Sequence, residues 1–205
     1  MPANLLDGFK NTYETAEASK GSGGGGNYLN TTDIQEGSPT RITILGTQSV
    51  SGYVVWGVNS EGKNRTLKFS NEPTRDDIQE RANEEGITFR ADPKPKPCYA
   101  FWVWNYDEEK VQCFQFEAKS LIDPIYQNLS DDEIGQEPHA YDFKLSHNGL
   151  GGTDKRFIVN CVPGKRRQAA VNKQIEAEFD KLIESGAELS NILIGGDPFK
   201  PATPF

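Results

Sequence analysis

The segment from Lys94 to Tyr106, with the sequence KPKPCYAFWVWNY, constrains the fold of this chain more than any other. Its last eight residues include five aromatic side chains, a composition that is typical of a β-strand. Because successive side chains of a strand point to opposite faces, the large side chains divide into two sets. One set comprises Tyr99, Phe101 and Val103, and the other comprises Trp102, Trp104 and Tyr106. One set can fill a core, whereas the other needs a different partner.

A short acidic turn separates this strand from a second one at residues 111–116, and the two form the clearest hairpin in the sequence. If Tyr106 pairs with Val111, then Phe114 and Phe116 lie on the face of the tyrosine and phenylalanine set. This face is almost wholly apolar and is predicted to be the core side. The tryptophan set is therefore predicted to point outward. The alternative is that the tryptophans cover a second core beneath another element.

Alternation, caps and turn residues predict the other elements of the chain. Strands are predicted at Arg41–Leu45, Tyr53–Val58, Arg65–Phe69, Tyr141–His147 and Lys155–Cys161. Helices are predicted at Asp76–Glu85, with Thr74 as its cap and Gly86 at its end, at Ser120–Leu129 and at Ala169–Ser185. The strands show no βαβ alternation, and one helix follows the central hairpin. This order predicts a mainly β fold, a five-to-six-stranded antiparallel barrel like the OB (oligonucleotide-binding) fold, with peripheral helices. A β-sandwich is the main competitor.

The chain has 205 residues, enough for one domain with appendages. Residues 1–27 are predicted to be a flexible N-terminal arm, because glycine dominates positions 21–26. The barrel domain is predicted at 28–163, a C-terminal helix at 164–194 and a flexible tail at 195–205. No apolar run approaches the roughly 20 residues that span a bilayer, and the N-terminus lacks the pattern of a secretory signal. A soluble, cytoplasmic protein is expected.

The charges of the chain are unevenly distributed. The net charge of −8 argues against a protein that coats nucleic acid with its entire surface, but it allows a local cationic groove. Basic residues form three clusters, which are Lys63, Arg65 and Lys68, then Arg90, Lys94 and Lys96, and finally Lys165, Arg166 and Arg167. Two of these clusters lie beside aromatic strands.

Exposed aromatic side chains beside cationic ones are what single-stranded nucleic-acid binding requires, because bases stack on the rings and the cations contact phosphates. The predicted stacking residues are Trp102, Trp104 and Tyr106, joined by Tyr53 and Trp56. The predicted phosphate contacts are Lys63, Arg65, Lys68, Lys94, Lys96, Lys155 and Arg156.

Motifs of enzymes and metal sites are absent from the sequence. It contains no G-x-S-x-G, phosphate-binding loop or H-E-x-x-H, and Cys98, Cys113 and Cys161 stand alone in strand-like runs. Zinc sites usually draw on closely spaced cysteines, so the three thiols are predicted to be small buried hydrophobic groups. Neither catalysis nor a cofactor nor a metal is expected.

Four segments, TRITILG, KPKPCYAFWVWNYDEEKVQCFQF, SLIDPIYQNLSDD and YDFKLSHNGLGGTDKRFIVNCVPG, resemble in their order the phage-type single-stranded-DNA-binding proteins. The resemblance covers roughly Tyr28 to Pro163. It implies an OB fold, sequence-independent binding of single-stranded DNA, and roles in replication, recombination or repair, in the host cytoplasm if the chain comes from a phage. Some members of this family carry a zinc-binding insertion, but no ligands for one occur between Phe69 and Lys96.

The C-terminus is also similar to that of single-stranded-DNA-binding proteins, whose acidic tails often end in an aromatic residue. Here Phe199 and the terminal Phe205 match, although the last stretch is not strongly acidic. The resemblance implies that these two residues bind replication or recombination proteins, and self-association is a further expectation. The alternative function is an OB-like protein-interaction or accessory phage protein that does not bind nucleic acid. A metal-dependent nuclease that uses the scattered acids is a third hypothesis.

Overall fold

The computed structural model describes residues 26–150, 155–164 and 169–201, in which seven strands form one curled, open sheet with the shape of a half-barrel. The strands are β1 (Tyr28–Leu29), β2 (Thr40–Val58), β3 (Asn64–Phe69), β4 (Lys96–Asn105), β5 (Lys110–Phe116), β6 (Tyr141–His147) and β7 (Phe157–Pro163). Their order is β1-β5-β4-β2-β6-β7, and β3 pairs with β2 off this path. All pairs are antiparallel except β1 with β5. The predicted mainly β class is confirmed.

Strand β2 accounts for a difference from the predicted set of strands. Two separate strands were expected at Arg41–Leu45 and Tyr53–Val58, but they form one strand of 19 residues. Its pairing with β4 shifts register between Leu45 and Ser49, which marks a bulge. Because a bulge bends a strand and increases its twist, β2 can pair with β4 along its length and also with β3 and β6 near its two ends.

The predicted helices occur at the expected positions. They are α1 (Arg75–Glu85), α2 (Lys119–Leu129), the short α3 (Asp132–Gln136) and α4 (Ala169–Glu184), with 3₁₀ helices at Pro138–Ala140 and Leu189–Ile194. A capping box starts α1, since Thr74 Oγ1 accepts from the Asp77 N–H and the Asp77 carboxylate accepts from the Thr74 N–H. The helix ends at Gly86, whose φ of 63° is in the left-handed region.

The β4–β5 hairpin confirms the predicted core face, although its register differs from the expected one. Trp104 pairs with Val111, so the register is shifted by two residues from a Tyr106–Val111 pairing. A shift by an even number leaves each side chain on the same face. The core face packs Phe101 and Phe116, 5.9 Å apart between ring centroids, against residues of α2 and β6.

The tryptophan face does not point outward, and that prediction is wrong. Trp102 is 2% exposed and Trp104 is 1% exposed. They form a second core with apolar residues of α4 and the last 3₁₀ helix, which are Ile175, Leu189 and Ile192. An amphipathic helix must bury its apolar stripe against another layer, and the tryptophan face is the layer that α4 meets. The alternative of a second core is correct.

We call α4, the last 3₁₀ helix and residues 195–201 the C-terminal cover, because together they lie over the tryptophan face. Residues 195–201 were predicted to be part of a flexible tail, but Pro198 is buried and its carbonyl accepts from the Glu188 N–H at 2.9 Å. The predicted partner-binding Phe199 packs edge-on against Trp102, with ring centroids 4.9 Å apart. Phe205, residues 1–25 of the predicted N-terminal arm and linker, and the basic cluster at 165–167 lie outside the described residues.

A third, smaller core joins α1 to β2 and β3, where Val55 and Leu67 contact Ile78 and Ala82. Within the described ranges, no helix is both long and apolar enough to cross a bilayer.

Candidate nucleic-acid interface

Trp56 is the tryptophan that the fold leaves accessible. It lies on β2, on the same sheet face as Trp102 by register, but it is 48% exposed. The cover contacts this strand at Gly52, where an added Cβ would meet Leu193. Trp56 is four residues, or about 13 Å, further along the strand from that contact.

A cleft of about 340 Å³ opens beside Trp56. The segment 90–96, which we call the cationic wall, also lines it and contributes Arg90, Lys94 and Lys96. All three cations are exposed, and no ion pair joins them to another residue in the described part of the chain. Asn64, at the start of β3, also lines the cleft. An exposed indole, three exposed cations and the carboxylate of Asp92, which pairs with Arg75 at 3.4 Å, thus line one space of nucleotide size.

Gly57 brings the two walls of the cleft together. The backbones of Val58 and Thr88 exchange two N–H···O hydrogen bonds of 2.9 Å, which fix the segment after α1 against β2. A Cβ at position 57 would lie 2.9 Å from the Thr88 carbonyl oxygen and closer still to the Ile87 side chain. Only glycine allows this approach without displacement, so Gly57 determines where the cationic wall stands.

The indole N–H of Trp56 has a specific acceptor. Nε1 lies 2.7 Å from Oε1 and 2.9 Å from Oε2 of Glu117, in the connection between β5 and α2. The contact joins residues 61 positions apart in the sequence. A hydrogen bond to an ionised acceptor is shorter and stronger than one between neutral groups. The ring of Trp56 is therefore held by one edge while much of its surface stays accessible.

Lys68 lies on the same face, between the cover and the cleft. Val54 pairs with both Lys68 and Lys96, which places the two lysines on either side of β2. The Lys68 Nζ donates to Gln115 Oε1 at 2.9 Å, and desolvation by burial lowers the pKa of Lys68 below its usual value. A half-buried lysine that already has an acceptor is a weaker phosphate ligand than an exposed one.

Several predicted site residues lie elsewhere: strand geometry separates two of them from Trp56, and a third lies in a turn. Tyr53 and Arg65 point to the opposite face of the sheet, because Tyr53 is three residues from Trp56 and Arg65 pairs with Gly57. Lys63 is in the β2–β3 turn, where its Nζ pairs with the Glu61 carboxylate at 2.9 Å. None of the three lines the cleft.

The other predicted cations and Tyr106 have local partners. Lys155 Nζ lies 4.9 Å from the ring centroid of Phe157, at the start of β7, and the neighbouring Arg156 is exposed at the same end of the β6–β7 hairpin. Tyr106 donates its hydroxyl to Asp142 Oδ1 at 2.8 Å, and the Arg41 guanidinium lies 4.4 Å from its ring centroid. The hydroxyl and the ring of Tyr106 thus both have partners within the fold, and its stacking role stays a prediction.

The buried carboxylate of Asp142 organises that corner of the sheet. Its side chain is fully buried, accepts from the Tyr106 hydroxyl and forms an ion pair with Arg41, whose Nε donates to Oδ2 at 3.1 Å. A buried charge that is paired and hydrogen-bonded can be tolerated, whereas an unpaired one is strongly destabilising. This cluster fixes β2, β6 and the β4–β5 turn to one another.

The cysteines behave as buried hydrophobic residues, as predicted for Cys98 and Cys113, while Cys161 is half-buried. Burial raises the pKa of the Cys113 thiol to about 12 and raises that of Cys98 as well. Among the residues that the structure describes, His, Cys, Asp and Glu side chains form no group of three that could hold a metal ion.

Sequence reasoning missed two polar residues that line the cleft, Arg90 and Asn64, and also Glu117, which binds the indole of Trp56. Arg90 was noted in a basic cluster with Lys94 and Lys96, and that spacing was the available signal. Asn64 and Glu117 carried no signal, because their roles depend on long-range pairing.

Comparison of the chain with protein-family models, with curated proteins and with solved structures gives no match.

Proposed function

We propose that this protein binds single-stranded DNA without sequence preference and without catalysis, and that it acts in replication, recombination or repair. One observation carries the proposal: the exposed side chain of Trp56 lines the same cleft as the exposed cations Arg90, Lys94 and Lys96. Stacking of a base on an aromatic side chain contributes about 1–3 kcal/mol and tolerates any base, because every base has a π-face. Cations beside the ring supply the phosphate contacts.

The preference for a single strand follows from the same geometry. A base inside a duplex already stacks on its neighbours, so its faces are not available to Trp56. An unpaired base can turn into the cleft while the adjacent phosphates approach the exposed cations of the segment 90–96. The cleft therefore favours an unstacked strand over a duplex.

We propose in addition that the half-barrel is an OB fold. Strands β2, β4, β5, β6 and β7 would be its five strands, with α2 between the third and the fourth. The long β2 pairs with both β4 and β6, the arrangement that such a barrel needs. In this assignment β3 and α1 form an insertion after the first strand, and the cationic wall of the cleft follows that insertion.

A salt titration with a labelled oligo-dT tests the proposal. Three phosphate contacts to single-stranded DNA predict that log K falls with log salt concentration with a slope of about −2. Replacing Arg90, Lys94 and Lys96 by alanine should remove most of this slope. The charge-matched control replaces Lys173 and Lys181 of α4 and Lys200 of the cover, and it should leave the slope nearly unchanged.

Two results would contradict the proposal. If the cleft variant and the charge-matched control lose affinity equally, overall charge and not the cleft governs binding. If the wild-type protein binds neither single-stranded DNA nor RNA at low salt, the alternative of a protein-interaction module replaces it.

A further inference from the structure

Glu117 is unexpected in a site for a polyanion, because its carboxylate lies at the edge of the ring on which a base would stack and would repel the phosphates. Both of its oxygens lie within 2.9 Å of Trp56 Nε1. No lysine or arginine of the described residues pairs with it within 4 Å. An acid that opposes phosphate and has no cationic partner needs another reason to be there.

We propose that Glu117 is a positioning residue for base stacking, which fixes the ring of Trp56 and weakens phosphate binding at the same time. This inference rests on the proposed function. An exposed tryptophan that is free to rotate loses side-chain entropy when a base stacks on it. A charge-assisted hydrogen bond at the ring edge removes that freedom before binding and leaves the ring faces accessible.

The backbone that carries Glu117 supports this role. It lies between β5, which ends at Phe116, and α2, which begins at Lys119, so both flanks are regular structure. Just beyond it, the Ser120 hydroxyl accepts from the Phe157 N–H at 3.1 Å, which attaches this end of α2 to β7. A carboxylate on such a support can hold a side chain of β2 in a defined orientation.

The two effects of Glu117 act in opposite directions, and two substitutions separate them. In Glu117→Gln the side-chain oxygen can still accept from the indole, but the charge is gone. In Glu117→Ala both the charge and the acceptor are gone. Loss of the charge alone should tighten oligo-dT binding about twofold to threefold at low salt, because like charges several ångströms apart in water repel weakly. Loss of the acceptor should weaken binding by at least as much, so E117A should bind more weakly than E117Q.

Replacing Trp56 by phenylalanine provides the matched background. Phenylalanine can still stack with a base, but it has no N–H for Glu117 to hold. In Trp56→Phe protein, E117Q and E117A should therefore bind oligo-dT equally. A difference between them that persists in this background would show that Glu117 acts through another contact, and the inference would be wrong.

The free protein gives a readout that does not depend on binding. The indole N–H resonance of Trp56, assigned by its loss in W56F, should move upfield and exchange faster with solvent in E117A, and less so in E117Q. The buried indoles of Trp102 and Trp104 are internal controls that should not move. An unchanged Trp56 resonance in E117A refutes the positioning role, even if the protein binds DNA. If the resonance responds but neither Trp56→Ala nor the replacement of Arg90, Lys94 and Lys96 affects oligo-dT binding, the proposed function fails, and with it any role of Glu117 in stacking.

Discussion

Replacing Trp56 and Trp102 by alanine, one at a time, is expected to give opposite phenotypes. Trp56 is 48% exposed at the edge of the cleft, and its removal takes away the stacking surface. The loss of about 1–3 kcal/mol of base stacking corresponds to a Kd for oligo-dT that is roughly 5-fold to 150-fold higher. Since little packing is lost at an exposed position, the free energy of unfolding should fall by less than about 1 kcal/mol.

Trp102 should show the reverse pattern. It is 2% exposed, and the edge of the Phe199 ring packs against it. Truncating a buried tryptophan to alanine costs about 3–5 kcal/mol through lost contacts and the cavity that remains. This is a large part of the roughly 5–15 kcal/mol that stabilises a typical domain, so binding must be measured well below the melting temperature. Once corrected for the folded fraction, the Kd should stay within about twofold of wild type.

The assay must not depend on the residues that are removed. Urea unfolding followed by far-UV circular dichroism gives the free energy of unfolding, and the anisotropy of a dye-labelled oligo-dT gives the Kd. Trp102→Phe is the matched control, because it keeps an aromatic side chain in the second core. It should lose less stability than Trp102→Ala and bind like wild type.

One pair of results would refute the reasoning. If Trp56→Ala binds like wild type while folded Trp102→Phe loses affinity, the strand of DNA contacts the covered tryptophan face. The C-terminal cover would then have to leave that face on binding. The cleft and the role of Glu117 would both be wrong.

Three further substitutions test the fold around the site. Gly57→Ala introduces a Cβ that crowds Ile87, so it should lower the free energy of unfolding in urea by about 1–3 kcal/mol and weaken oligo-dT binding. Wild-type affinity would show that other contacts place the cationic wall. Asp142→Asn breaks the buried ion pair with Arg41 and should lower the free energy of unfolding by about 3 kcal/mol in the same assay. This is near the low end for such pairs, because the Arg41 side chain can turn to solvent. A decrease of less than about 1 kcal/mol would contradict a structural role for the pair. Burial raises the pKa of the Cys113 thiol from 9.0, its value in the unfolded chain, to about 12 in the folded protein. The stability that the neutral thiol contributes is therefore complete below pH 9.0 and is lost as the pH rises toward 12. The slope reaches about 1.4 kcal/mol per pH unit, and Cys113→Ala should therefore show a shallower loss of stability between pH 9 and 10.5 than wild type.

In the central hairpin, the alternation of side chains predicted the two faces correctly, whereas the predicted register was wrong. Pairing Tyr106 with Val111 was off by two residues, because the four-residue turn occupies positions 106–109 and not 107–110, and its last residue, Glu109, takes a positive φ of 50°. The division into two faces survived, since only an odd shift exchanges them. Phe101 and Phe116 were therefore assigned to the correct core by a wrong register.

Which element covers the second face could not be read from the hairpin itself. Helix α4 was predicted from its apolar spacing, but the sequence does not state which layer its stripe meets. The sequence predicted two apolar surfaces without a partner, which were the tryptophan face and the stripe of α4 around Ile175. An amphipathic helix has to bury its stripe, so pairing the two was the inference available and the outward assignment of Trp102 overlooked it.

The cleft illustrates the opposite limit. Local clusters in the sequence were enough to predict Trp56, Lys94 and Lys96 as site residues, but the geometry of the cleft depends on contacts between distant segments. Gly57 admits the backbone of Thr88, and Glu117 reaches Trp56 across 61 positions. Such pairings are set by the curl of the whole sheet, and single-sequence patterns do not encode them.

Net charge and site charge act over different distances, which reconciles an acidic protein with a polyanionic ligand. At physiological ionic strength the Debye length is about 8 Å, so a phosphate in the cleft responds mainly to the charges that line it, which are Arg90, Lys94, Lys96 and the Asp92 carboxylate. The net charge of −8 acts on a strand that is still approaching, and only when salt is low. Reducing the salt concentration therefore strengthens the contacts in the cleft and the repulsion outside it together. The rate of association should rise less steeply than the lifetime of the complex as salt is lowered, whereas a uniformly basic protein would show the steeper gain in association.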